Sequence, residues 1–387
     1  MKKYYFLSIL IVTAAMMVTT SSFAQKKLVN KAYTWAQQGA KLDTALKALN
    51  VAATNDETKD WAKTYYSYAM VYQAIGNSQA PEFKDLVDYP FIKAFDNFKK
   101  TYYMEGGKAY KTDIDFLLTS LSGTLVNKGI ESYNAENYPD AFKYFEKAVE
   151  AGQMPIFGGA IDTALIFNAG LMAQRSSDWD NAIKYYEESV IYGYGEGDTY
   201  ALLAECYKAK GDVDSYLKTL KIGFEKYPSS QGLLGLIINY YILEEENVEE
   251  AFKYLEVAIE KDPTNAHFYS AKGHLYDKMG KTDDAKNSYK KAIEMNSEFF
   301  EAYYNLGVIY FNEAVALTDV ANQIKDNKKY EAAKLIADQK FEESLPFIEK
   351  AFELHPDDVS IANTLKNLYY RLKLTEKYEG LIKKLEE

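Results

Sequence analysis

The sequence predicts an all-α fold, an α-solenoid of about eight to nine antiparallel helix pairs. Three observations predict it. First, one block recurs: "NYPDAFKYFEKAVE" (137–150), "DWDNAIKYYEESV" (178–190), "NVEEAFKYLEVAIE" (247–260) and "KTDDAKNSYKKAIE" (281–294), with the anchors Ala141, Ala182, Tyr216, Ala251 and Ala285 spaced 41, 34, 35 and 34 apart. Second, the small and aromatic residues within each block fall three and four positions apart, which places them on one stripe of a helix. Third, proline is scarce at 8 of 387 residues, tyrosine is abundant at 35, and no run alternates as strands do.

Taken in order, the chain begins "MKKYYFLSILIVTAAMMVTTSSFAQ". Two lysines, an apolar run from Phe6 to Val18 too short for a bilayer core of about 30 Å, and small residues around Ala24 have the anatomy of a secretory signal peptide. Residues 1–24 are therefore expected to be removed, and the mature chain to be periplasmic or secreted from a bacterial cell. The sole cysteine, Cys206, is far from this junction, so no lipid anchor is expected there. It lies in "LLAECYKA" and reads as a small buried residue rather than a reactive thiol. Loss of Lys2 and Lys3 moves the formal charge from −11 to −13. So acidic a chain has no electrostatic reason to follow a phosphate backbone, and nucleic acid is not an expected partner.

Residues 25–111 read as irregular helix pairs, with "GNSQAPEFKDLVDYP" (76–90) in place of a short turn. A regular array follows over 112–299. Each of its units opens with a second pattern, as in "YALLAECYKAKG" and "YSAKGHLYDKMG": Tyr200, Ala204, Tyr207, Gly211 and Tyr269, Gly273, Tyr276, Gly280. A small residue in the stripe lets a neighbouring helix approach, and the last glycine ends the helix. Such pairs cannot bury their apolar stripes alone, so stacking supplies the core. "AGQMPIFGGAID" (151–162) lengthens one linker. Over 300–356 the second-helix anchors stand 59 rather than 34 residues apart, and the 25 added residues continue both stripes. That predicts an extended hairpin over 311–340 that projects roughly 18 Å, at ~1.5 Å per residue, with "KDNKK" (325–329) at its tip. Residues 357–387 suit a charged capping pair.

These residues closely resemble the tetratricopeptide repeat family. The 34-residue period, the small residue and tyrosine of the first helix, the alanines of the second, and Pro228, Pro263 and Pro356 after second helices all match. Tyr216 stands where the family has alanine, and Asn239 where it has a small residue. The resemblance implies a right-handed superhelix whose concave surface, lined by first helices, binds a partner. The corresponding positions are Tyr66 and Met70, Ile130 and Tyr133, Phe167 and Leu171, Leu236 and Tyr240, His267 and His274, then Tyr304, Val308 and Phe311. Most are apolar, so they mark an interaction site if contiguous and open; the alternative is that neighbouring walls cover them. Some family members hold a terminal carboxylate with lysines and asparagines here, a mode these residues do not suit.

His267 and His274 are two turns apart and share a helix face with Asp277 one turn on. Without a fourth ligand they do not make a zinc site, and without a nucleophile nearby they do not make an acid–base centre. No phosphate-binding glycine loop, cysteine pair or nucleophile elbow occurs. The expectation is a non-enzymatic scaffold without cofactor or metal, which binds a segment of another envelope protein. The alternative is a glycan-binding protein that stacks sugars on its tyrosines, as in nutrient capture.

Overall fold

A computed structural model describes residues 24–386, the side chain of Glu386 excepted. All but the last residue of the expected export signal lies outside them. Among the described residues there are helices and no strands. Among the described residues the chain divides into two compact units: 24–195 with 209–211, and 196–208 with 212–386.

The first unit contains α1 (24–37), α2 (Leu42–Ala52), α3 (Ala62–Asn77), the single turn α4 (Pro81–Lys84), α5 (Pro90–Tyr103), α6 (Lys111–Asn134), α7 (Tyr138–Gly152), α8 (Thr163–Arg175) and α9 (Trp179–Ile191). Short 3₁₀ turns precede α6 (Gly107–Tyr110) and lie between α7 and α8 (Pro155–Phe157). The antiparallel pairs are α1/α2, α3/α5, α6/α7 and α8/α9, so the 76–90 insertion does separate the two helices of one pair. The second unit contains α10 (Glu196–Ala209), α11 (Val213–Lys226), α12 (Gln231–Leu243), α13 (Val248–Lys261), α14 (Ala266–Lys278), α15 (Thr282–Met295), α16 (Phe300–Asn322), α17 (Asn327–Leu354), α18 (Val359–Arg371) and α19 (Thr375–Glu386), paired in sequence.

Local chemistry starts and stops these helices as the spacing requires. Asn137, Asp178, Asp212, Asn247 and Asp326 accept a backbone N–H from the first turn of α7, α9, α11, α13 and α17, each such cap contributing about 1 kcal/mol. Gly211 and Gly280 adopt φ of 78° and 69° where their first helices end.

The pairs close on one repeated contact. A Cβ on Gly129 would stand 2.6 Å from the Phe145 ring, on Gly170 3.1 Å from the Tyr186 ring, and on Gly273 2.8 Å from the Tyr289 ring. Each partner lies 16 residues further along the chain. Gly307 meets Ile348 at 2.6 Å in the same way, but at an offset of 41 residues, longer by the 25 added ones. The long hairpin thus keeps the register of the short ones. Ser344, fully buried, takes the place of the anchor alanines and donates from its hydroxyl to the Gly307 carbonyl at 2.7 Å.

The hairpin is α16, of 23 residues, against α17, of 28. They exceed the 13–14 residues of their neighbours by enough to project about 15–20 Å. Its turn is 323–326, so the tip sits earlier than the expected 325–329: Asp326 caps α17, and Asn327 to Lys329 are already helical.

Two of the expected open positions are corrected here. Tyr66 is only 4% exposed. The 3₁₀ turn before α6 brings Tyr110 against it, stacked at 4.6 Å, while Phe98 lies at 6.0 Å. Tyr240 is 8% exposed; its ring packs on Tyr216 of α11 at 6.0 Å, and its hydroxyl donates to Glu245 at 2.8 Å. The cause lies in α12, which is apolar almost all round and buries both neighbours of Asn239 while leaving Asn239 itself in solvent. A polar residue at the small-residue position therefore faces water instead of the adjoining helix.

Candidate interaction surface

In the first unit the surface centres on α6. Its buried residues, Ile114, Leu118, Leu121, Leu125 and Gly129, repeat at three and four and face the core. Phe116, Gly123 and Ile130 repeat at seven, which aligns them on a separate line of the helix. Phe116 is 79% exposed, Ile130 45% and Tyr133 42%. Gly123 has open space where a Cβ would go. On α8, the next first helix of this unit, Phe167 and Leu171 are half-buried, Phe167 resting on Tyr186 and Tyr194 with centroids at 5.6 and 5.1 Å. Tyr133 meets Tyr138 at 6.2 Å, and the Arg175 guanidinium lies 5.4 Å over the Tyr138 ring. Met70 is half-buried beneath the N-terminal pairs.

Phe116 was not among the expected residues. Its signal was present in the sequence, seven and fourteen residues before Gly123 and Ile130. α6 has 24 residues against the 13–14 of a repeat helix such as α8 or α10, so Phe116 has no counterpart in the shorter first helices.

The equivalent positions of the second unit are more polar and more covered. His267 and His274 are exposed; His267 lies on the Phe299 ring at 4.5 Å. Although its side chain reaches solvent, partial desolvation holds His274 below the ordinary imidazole range; Lys278 one turn on adds to the effect and Asp277 opposes it. Among the described residues no three His, Cys, Asp or Glu side chains gather as metal ligands. Leu236, Tyr304, Val308 and Phe311 are half-buried. The Tyr304 hydroxyl lies 3.5 Å from that of Thr364, and Phe311 meets Phe341 edge-on at 5.3 Å. Cys206 is fully buried, and burial pushes its thiol up to about 12.

What this geometry offers is a set of exposed apolar side chains on one helix, which can bury area against a partner segment. Among the described residues no helix is long and apolar enough to cross a membrane.

Comparison with known proteins agrees with the repeats. Residues 254–287 match the family model described as "Tetratricopeptide repeat", and residues 273–313 the one described as "TPR repeat". The chain is 31% identical over 86 residues to anaphase-promoting complex subunit 3 of Schizosaccharomyces pombe, which covers 22% of this chain and 13% of that one. It is 23% identical over 193 residues to the Hsp70-Hsp90 organizing protein of Triticum aestivum, covering 48% and 31%. It thus spans less than a third of the length of either curated relative. A solved tetratricopeptide repeat protein from Parabacteroides merdae is similar at 15% identity over 64% of this chain and 98% of its own, with a TM-score of 0.39.

Proposed function

This chain is a tetratricopeptide-repeat protein, and from that premise we propose that it serves as a non-enzymatic adaptor, exported by its N-terminal segment, that holds a segment of another envelope protein. The observation that carries the proposal is the exposure of Phe116, Ile130 and Tyr133 on α6, with the half-buried Phe167 and Leu171 on the next first helix, α8. Large apolar side chains left exposed on one helix are candidates for an interaction surface when a partner can cover them together. The Triticum relative is named for organising two other proteins, which agrees with such a role. Tyr66 and Tyr240, being packed inside their units, take no part; Tyr133 and Phe167 are the aromatic anchors instead.

The test is the double replacement F116S/I130S in the full chain. Both side chains are exposed, so the melting temperature is expected to stay within about 2 °C of the parent, in keeping with surface substitutions that cost under about 0.5 kcal/mol. Loss of co-purified envelope protein at least tenfold is expected. Unchanged co-purification with these two side chains gone removes α6 from the account.

A further inference from the structure

The hairpin of the second unit leaves large apolar side chains exposed in a segment whose charge differs from that of the rest of the chain. Val320 is 60% exposed, Leu335 60% and Ile336 52%. At the tip, Lys325, Lys328 and Lys329 are all exposed, and among the described residues none of them is in an ion pair. The one acid between them, Asp326, is already accepting the Lys329 amide as the cap of α17. Residues 311–340 hold five lysines and five acids, so the formal charge of −11 belongs to the remainder of the chain.

Membrane insertion fits this arrangement poorly. An anchor leads with apolar residues, whereas here the lysines lead and Leu335 and Ile336 follow two turns behind. A protein surface with an apolar centre and an acidic margin fits better. The second unit has one: Leu243 is 72% exposed at the end of α12, and the turn after it is Glu244, Glu245 and Glu246, all exposed, with Glu249 one turn further. Both 244–247 and 323–326 connect the first helix of a pair to its second. In a stack of antiparallel pairs such turns lie on one edge. The two features therefore share an edge within the unit, the basic one reaching further out.

We infer that the hairpin docks on a second copy of this chain: Lys325, Lys328 and Lys329 against Glu244, Glu245 and Glu246, with Leu335 and Ile336 covered beside Leu243. Since both patches lie on one edge, a twofold axis lets each copy give and receive the same contact. The reciprocal pair of contacts then brings two modest patches toward the ~1,200 Å² of a specific interface. Exposed charge pairs of this kind weaken with salt.

The experiment is sedimentation of the full mature chain at 50 and 500 mM NaCl, for the parent, for K325E/K328E/K329E and for E244K/E245K/E246K. The expected result is a dimer at low salt that dissociates at high salt, with each charge-reversed chain binding itself at least tenfold more weakly. Mixing the two reversed chains restores both contacts and with them a heterodimer. The neutral variant K325Q/K328Q/K329Q, checked for an unchanged melt, replaces the reversed chain should that one fail to fold. A parent that is monomeric at 100 µM and 50 mM NaCl overturns the inference. So does a mixture of reversed chains that stays unpaired, or a monomeric parent that floats with phosphatidylserine vesicles through these lysines.

Discussion

At the scale of single residues, two glycines with the same backbone role in a helix have opposite environments. Gly273 lies under the ring of the buried Tyr289, where an added methyl has no room, while Gly123 faces open space. Replacing Gly273 with alanine is expected to destabilise by about 1–3 kcal/mol through overpacking. Gly123→Ala is expected to stabilise by up to about 1 kcal/mol, because alanine is the better helix former. Chemical denaturation reads both, and a G273A protein as stable as the parent would show that the helices do not meet at this contact. Cys206 supplies a second check at this scale. Fully buried and with its thiol pushed up to about 12, it is expected to ignore a maleimide in the native state and react only in denaturant. For His274, desolvation penalises the charged form, so its NMR titration midpoint is expected below 6.5. The sign for stability follows. The unfolded chain takes up the proton first, and the contribution of neutral His274 is complete above about pH 6.5 and lost as pH falls through the lower folded value.

At the scale of elements, the long hairpin sets the clearest expectation. Its proximal half shares a core with α18 and α19 through Phe341, Ile348 and Phe352, whereas the distal half buries chiefly alanines, Ala321 and Ala337. Small side chains bury little area. Backbone amides of 318–336 are therefore expected to exchange at least tenfold faster than those of 303–310 and 344–352 under native conditions. Equal protection along the hairpin would contradict the packing described. The elements also show where sequence patterns ended. The repeat spacing anticipated the pairs, the position of the 76–90 insertion and the 25-residue lengthening, because a buried stripe has to recur in the sequence wherever a neighbour covers it. It missed Phe116, since solvent imposes no such recurrence. It mislaid Tyr66 and Tyr240 for the opposite reason: what covers them is Tyr110 of a 3₁₀ turn and Tyr216 of α11, which stands where the repeat has alanine.

At the scale of the molecule, two compact units of stacked helix pairs each present a set of first helices, and the sets differ. The first unit offers exposed apolar side chains on α6 and half-buried ones on α8; the second offers exposed histidines and half-covered rings. An alternating chemistry of this sort was only partly legible in the sequence, which names the residue at each first-helix position but not how deeply its neighbours cover it. The adaptor account stands on one claim, that a partner lies along α6. Site-specific photo-crosslinking in the producing cell tests it most directly, with the crosslinker at Ile130 compared with the exposed second-helix position Lys184. The account predicts a discrete protein adduct from Ile130, absent from Lys184 and lost when Phe116 is also replaced by serine. Equal adducts from both positions, or none from Ile130, would contradict it.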